Sequence, residues 1–137
     1  MKTIGIQIKS NEAILVVLVK DKDGNLTQCE NSTKFKIDDP TQQDQVRQFR
    51  NQISSFFDSV QASKIGIVAR NANAKGKMAP SPTSFKLEGI IQLYEKTDIE
   101  IVWKKTTDAY FKKNPKTMNP EKIYQSDAFD VAYFLTN

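Results

Sequence analysis

Thr3–Val19, TIGIQIKSNEAILVVLV, decides the fold. Ile4, Ile6 and Ile8 alternate with Gly5, Gln7 and Lys9, which predicts a strand with one apolar face. Ser10-Asn11, with Glu12, is a polar step short enough to turn the chain back on itself. Ala13–Val19 is apolar throughout, the pattern of a strand covered on both faces. The stretch therefore reads as a hairpin, with its first strand at the centre of a sheet. Gln7 stands on the polar side of that strand.

Working outward, Asp23-Gly24 is a hairpin signal, because glycine takes positive φ cheaply. A third strand over Leu26–Ile37 completes an antiparallel meander. Asp38-Asp39-Pro40 then punctuates the chain, and Pro40 suits the first turn of a helix. Val46, Phe49, Ile53, Phe56, Phe57 and Val60 fall at helical spacing and form one stripe. A fourth strand, Ile65–Ala69, follows that helix. The intervening crossover sets it parallel to the first strand.

Arg70–Pro82 is a long polar loop at the carboxyl end of that strand, where open α/β sheets bind ligands. A second helix is expected over Ser84–Lys96, a fifth strand over Ile99–Trp103 and a short helix over Asp108–Lys113. Trp103, closing an apolar strand, is expected in the core. Asn119 has the chemistry of an N-cap, with Pro120 at the first helical position of a last helix, Pro120–Leu135. Tyr124, Ala128, Val131 and Leu135 define its buried stripe.

The sum is an α/β domain spanning 1–137. Its five-stranded mixed sheet, a meander of three strands plus two parallel ones, is flanked by helices. The order β-β-β-α-β-α-β-α is that of a ribonuclease H-like domain.

Composition narrows the chemistry. With no histidine, His-based triads and nearly all zinc sites are excluded. The lone Cys29 forms no intrachain disulfide and fits a reducing compartment. The longest apolar run is too short to span a bilayer. The start, MKTIGIQIKS, lacks the apolar core of a secretory signal, so a cytoplasmic location is expected.

The net charge of +4 is unevenly placed. Residues 64–116 carry eleven Lys/Arg against five Asp/Glu, while residues 1–63 balance. A basic middle suits a phosphate backbone, and it equally suits a solvated, lysine-rich surface. Arg70, Lys75, Lys77, Lys86, Lys104 and Lys105 are the candidate nucleic-acid contacts. Trp103 and Tyr110 lie among them, where aromatic rings can stack on bases.

In the last helix Asp127 and Asp130 stand three apart and share a face. They are the candidate metal ligands. The structural alternative is pairing with Lys or Arg, or plain exposure to solvent.

Ser126-Asp127-Ala128-Phe129-Asp130-Val131-Ala132 is similar to the last-helix motif of RuvC-type crossover-junction nucleases. The whole chain resembles a small bacterial family of unknown function in the same ribonuclease H-like superfamily. Gly5–Lys9 with Asn11-Glu12-Ala13, Lys75-Gly76-Lys77, Ser84–Glu88 and Asp127-Ala128 carry that resemblance.

The resemblance implies acidic residues in the first strand and at the end of the fourth. Here those positions hold Gln7 and Asn71. A two-metal nuclease needs several carboxylates to hold ions about 3.5–4 Å apart. The expected site of Gln7, Asn71, Asp127 and Asp130 is therefore degenerate, with weak Mg²⁺ binding at Asp127 and Asp130 at most. The expected partner is nucleic acid, DNA before RNA, and a homodimer is an option because RuvC-type resolvases act as dimers. An active Mg²⁺-dependent nuclease and a protein-interaction module with a vestigial cleft are the competing readings.

Overall fold

The structure, a computed structural model, describes residues 1–137 apart from the side chain of Met78. Thr3–Val19 folds as the expected hairpin. β1 (Lys2–Lys9) and β2 (Glu12–Lys20) pair antiparallel from Lys2↔Val19 to Lys9↔Glu12. Ser10 turns the chain with φ of 57°.

The third strand is broken. β3 (Leu26–Gln28) and β4 (Thr33–Lys36) both pair with β2, and residues 29–32 bulge out between them. Val17 of β2 sits opposite the gap. Its carbonyl accepts from the Cys29 amide at 2.9 Å and its amide donates to Ser32 Oγ at 3.1 Å. Loop atoms thus satisfy the backbone that an unbroken strand would have paired.

α1 (Gln43–Val60) buries Phe49, Ile53, Phe57 and Val60, with Val46 and Phe56 partly buried on the same core. Pro40 precedes this helix rather than opening it. Asp39 Oδ1 accepts from the amide and hydroxyl of Thr41, a local turn that delays the helix.

β5 (Lys64–Val68) runs parallel to β1, and β6 (Ile99–Val102) parallel to β5. The sheet has six strands, not five, in the order β3-β2-β1-β5-β6 with β4 also on β2. α2 (Pro82–Gln92) starts on a Ser81 cap and stops four residues before Lys96. α3 (Lys104–Lys113) begins four residues before the expected Asp108 and takes in Lys104–Thr107.

α4 (Ser126–Leu135) is six residues shorter at its start than Pro120 implies, and a 3-10 turn, Ile123–Gln125, leads into it. A buried pair of amides accounts for the difference. Gln28 Nε2 donates to Gln125 Oε1 at 3.0 Å, and Gln28 Oε1 accepts from the Glu121 amide at 3.0 Å. The segment is pinned to β3 instead of winding up behind Pro120.

Helices cover both faces of the sheet. Ile4, Ile6, Ile8, Leu15 and Val17 pack with α1 and α2. Ile14, Val16 and Leu18 pack with Ala128, Phe129, Ala132 and Tyr133 of α4. The second face of β1 is consequently not open to water. Thr3 Oγ1 donates to the Ala132 carbonyl at 2.7 Å. A Cβ on Gly5 would lie 1.8 Å from the Ala128 carbonyl oxygen. Glycine is what lets the helix backbone settle onto the strand.

Among the described residues, no helix is long and apolar enough to cross a membrane. Trp103, expected inside, is half exposed at the start of α3, and Tyr124 lies outside the buried stripe. The turn preceding α4 aims Tyr124 away from the helix-packing direction, whereas Ala128, Val131 and Leu135 are buried as the periodicity demands.

Candidate functional site

The alternation of β1 sends residues 3, 5 and 7 to the α4 side, and Gly5 sets the closeness of approach. The first turn of α4 therefore arrives over Gln7. Gln7 Nε2 donates to Asp127 Oδ2 at 3.0 Å. Asp127 Oδ1 lies 3.7 Å from Nζ of Lys104, an exposed lysine at the start of α3.

One turn along, Asp130 Oδ1 accepts from Lys116 Nζ at 2.8 Å, and the Asp130 side chain is only 16% exposed. Lys116 also sits 4.9 Å from the centre of the Phe111 ring. An ammonium held by a carboxylate and an aromatic face is a well-anchored cation. Asp127 and Asp130 share a crevice of only about 10 Å³ with Lys104, Thr107 and three valines.

Among the four residues singled out as a site, a hydrogen bond and a shared crevice link three. Gln7 and Asp127 are in contact, and Asp130 adjoins them. Asn71 is exposed beyond β5, and its Oδ1 accepts from the Asn73 amide at 2.9 Å within its own loop. An Asn two residues ahead of a free amide readily closes such a turn.

The donor set does not fit the divalent-metal centre that the fold implies. The strand residue presents an N–H, not an anionic oxygen, to Asp127. Both aspartates face ammonium groups. Among the described residues no three carboxylate, thiolate or imidazole groups are grouped to hold a metal ion. The crevice leaves room for about one water molecule.

The basic candidates divide by their surroundings. Lys75, Lys77, Lys104 and Lys105 are exposed. Arg70 turns inward: its Nη2 donates to Glu88 Oε1 at 2.9 Å, its guanidinium lies 4.3 Å from the centre of the Phe85 ring, and its side chain is 12% exposed. It fastens the loop after β5 to α2 and leaves the surface to the lysines. Lys86 Nζ donates to the Pro40 carbonyl.

Sequence reasoning assigned no part in this site to Lys116, 14 residues before its partner, because no helical or strand spacing links the two. Its only signal was membership of the basic middle.

The six-stranded mixed sheet, with a parallel crossover and helices on both faces, shares the ribonuclease H-like fold of RuvC. The chain belongs to the family described as "Protein of unknown function (DUF3010)", whose profile matches residues 1–135. No curated protein sequence matches it.

Among solved structures it is similar to Thermus thermophilus RuvC in complex with a Holliday junction substrate, with a TM-score of 0.72 at 10% identity over 96% of this chain and 90% of that one. A second Thermus thermophilus RuvC structure matches with a TM-score of 0.67 at 10% identity, over 96% and 91% of the two chains. The yeast mitochondrial Holliday junction resolvase Ydc2 matches with a TM-score of 0.55 at 10% identity, over 85% of this chain and 56% of that one. At such identity the likeness speaks to fold.

Proposed function

We propose that this chain, as one cytoplasmic domain over 1–137, binds nucleic acid, DNA in preference to RNA, and that its nuclease-type site no longer supports metal-dependent cleavage. The observation that carries this reading is the Gln7–Asp127 hydrogen bond, an amide donor placed where metal chemistry needs an anionic oxygen. The exposed Lys75, Lys77 and Lys105, with Lys104 beside Asp127, supply the positive surface. The RuvC neighbour whose structure holds a Holliday junction motivates the choice of DNA.

Binding of this kind is driven by release of counterions from phosphates and weakens steeply with salt. Mobility-shift titration on single-stranded, duplex and four-way-junction DNA, and on RNA, is the test. The expected result is a shift at low salt, DNA bound more tightly than RNA. Changing Lys75, Lys77 and Lys105 together to Ala lowers the salt slope by about 2–3. No shift at low salt refutes the binding. Incubation of labelled DNA with Mg²⁺ or Mn²⁺ leaves it intact; cleavage abolished by Asp127→Asn refutes the loss of activity.

A further inference from the structure

The sheet runs on past the start of α4. Beyond Gln7, the face that α4 covers elsewhere forms the floor of a groove of about 270 Å³, with Lys9, Ile14 and Lys34 in the lining. The turn before α4 supplies the wall: Ile123 and Tyr124, then Ser126 and Asp127.

Ile123 is 92% exposed and Tyr124 43% exposed, two large apolar side chains in the wall beside the Gln7–Asp127 pair. The Lys34 ammonium stands 3.9 Å from the centre of the Tyr124 ring. Glu12 also lines the groove, but it is flanked across the strands by Lys9 and Lys36. The groove thus joins a part-exposed aromatic ring with the Lys34 ammonium on one face, an exposed isoleucine, the Lys9 ammonium, a side-chain amide and the carboxylates of Glu12 and Asp127. Gln7 gives one N–H to Asp127, which leaves Oε1 and a second N–H as an adjacent acceptor and donor.

We infer that this groove is a subsite for one unpaired nucleotide of a bound strand. The base lies against Tyr124 and Ile123, its edge meets the Gln7 amide, and its phosphates meet Lys9 and Lys34. The chemistry is that of single-strand binding, where basic groups track the backbone and exposed rings hold the bases. A paired base in a duplex has both faces stacked and cannot offer one to Tyr124, so the subsite acts on unpaired nucleotides. This inference rests on the nucleic-acid reading above and adds to it a place and a structural preference.

The test uses a 12-nucleotide thymidine strand carrying one 2-aminopurine and a 12-base-pair duplex, both titrated by fluorescence anisotropy at one low ionic strength. Wild-type protein is expected to quench the 2-aminopurine on binding. Tyr124→Ala and Ile123→Ser are expected to weaken single-strand binding by roughly five- to a hundredfold and to abolish the quenching, with duplex binding changed less than about twofold. Tyr124→Phe keeps both the affinity and the quenching, because the ring remains. Both side chains are exposed enough for the variants to fold. If Tyr124→Ala and Ile123→Ser retain single-strand affinity, or lose single-strand and duplex binding in equal measure, the subsite is wrong while the basic-surface reading stands. If the wild-type protein binds neither probe, both fall together.

Discussion

Gln7 and Asp127, separated by 120 positions in the chain, are joined by a 3.0 Å hydrogen bond from the amide to the carboxylate. The bond sets a neutral donor against the carboxylate where strand and helix meet. An amide facing a carboxylate is stabilising without a cation. A carboxylate in its place is not, because two like charges at that separation resist joint ionisation.

Gln7→Glu should therefore destabilise the metal-free protein by about 1–3 kcal/mol at neutral pH, through the lost donor and the new repulsion. Mn²⁺ should recover part of that loss. Urea unfolding with and without the ion reads both effects, and calorimetry reads the binding directly. Asn71→Glu is expected to add little, since residue 71 is directed into its own loop. A Gln7→Glu protein as stable as wild type, and indifferent to Mn²⁺, would contradict the description of the pair.

Gly5→Ala tests the strand–helix approach. Its new Cβ meets the Ala128 carbonyl oxygen at 1.8 Å and the Ala132 nitrogen at 2.6 Å, both backbone atoms that cannot swing aside. Forced separation of β1 and α4 should cost about 3 kcal/mol, the upper part of the usual range for overpacking. The same shift should lengthen the Gln7–Asp127 contact. Denaturant midpoints and a crystal structure of the variant check the two statements.

Gln125→Leu removes the acceptor for Gln28 Nε2 and for the Lys122 amide, at 3.0 and 3.1 Å. Both Gln28 and Gln125 are buried, so the stranded donors have little water to turn to. A loss of about 2 kcal/mol is expected. Hydrogen exchange should show it as faster opening of residues 121–125, the turn that carries Ile123 and Tyr124.

Tyr94 packs edge-on to Phe57 and donates to Asp58 Oδ1 at 2.8 Å. Burial, and secondly that hydrogen bond, push its hydroxyl up to about 12. Tyr94 should ionise late in an alkaline titration followed by absorbance, and Tyr94→Phe should remove that late phase. The folded state holds this proton where the unfolded chain has lost it. Its contribution is therefore full below about pH 10 and disappears as pH rises towards 12. Asp58 runs the other way: hydrogen bonds from Lys96 and then Tyr94 hold its carboxyl below the usual range. Its contribution is present above about pH 4 and fades as the solution is acidified further.

Strand and helix identity was legible where side-chain period and burial agree. The Ile4-Ile6-Ile8 alternation, the unbroken Ala13–Val19 run and the Phe49–Val60 stripe each name an element and the face it buries. The break at residues 29–32 was not legible, because loop atoms take over the hydrogen bonds of Val17 and leave the apolar pattern intact. The late start of α4 was hidden for a related reason. Asn119-Pro120 has the local chemistry of a helix beginning, and a buried amide pair from β3 overrides it.

Gln7, Asp127 and Asp130 stood out as residue types in a pattern. What each one touches did not, since neither Lys116 nor Lys104 lies at a spacing that marks it as a partner. Trp103 shows the same limit in reverse: an aromatic at the end of an apolar strand ended up half in water.

The sequence by itself determined the sheet's central hairpin, the first helix and the absence of imidazole chemistry, because these follow from period, turn residues and composition. Only the tertiary structure decided that Arg70 faces inward, that Asn71 bonds within its loop and that each aspartate is matched to an ammonium. Those outcomes depend on distances between segments far apart in the chain, and local preference carries no information about such distances.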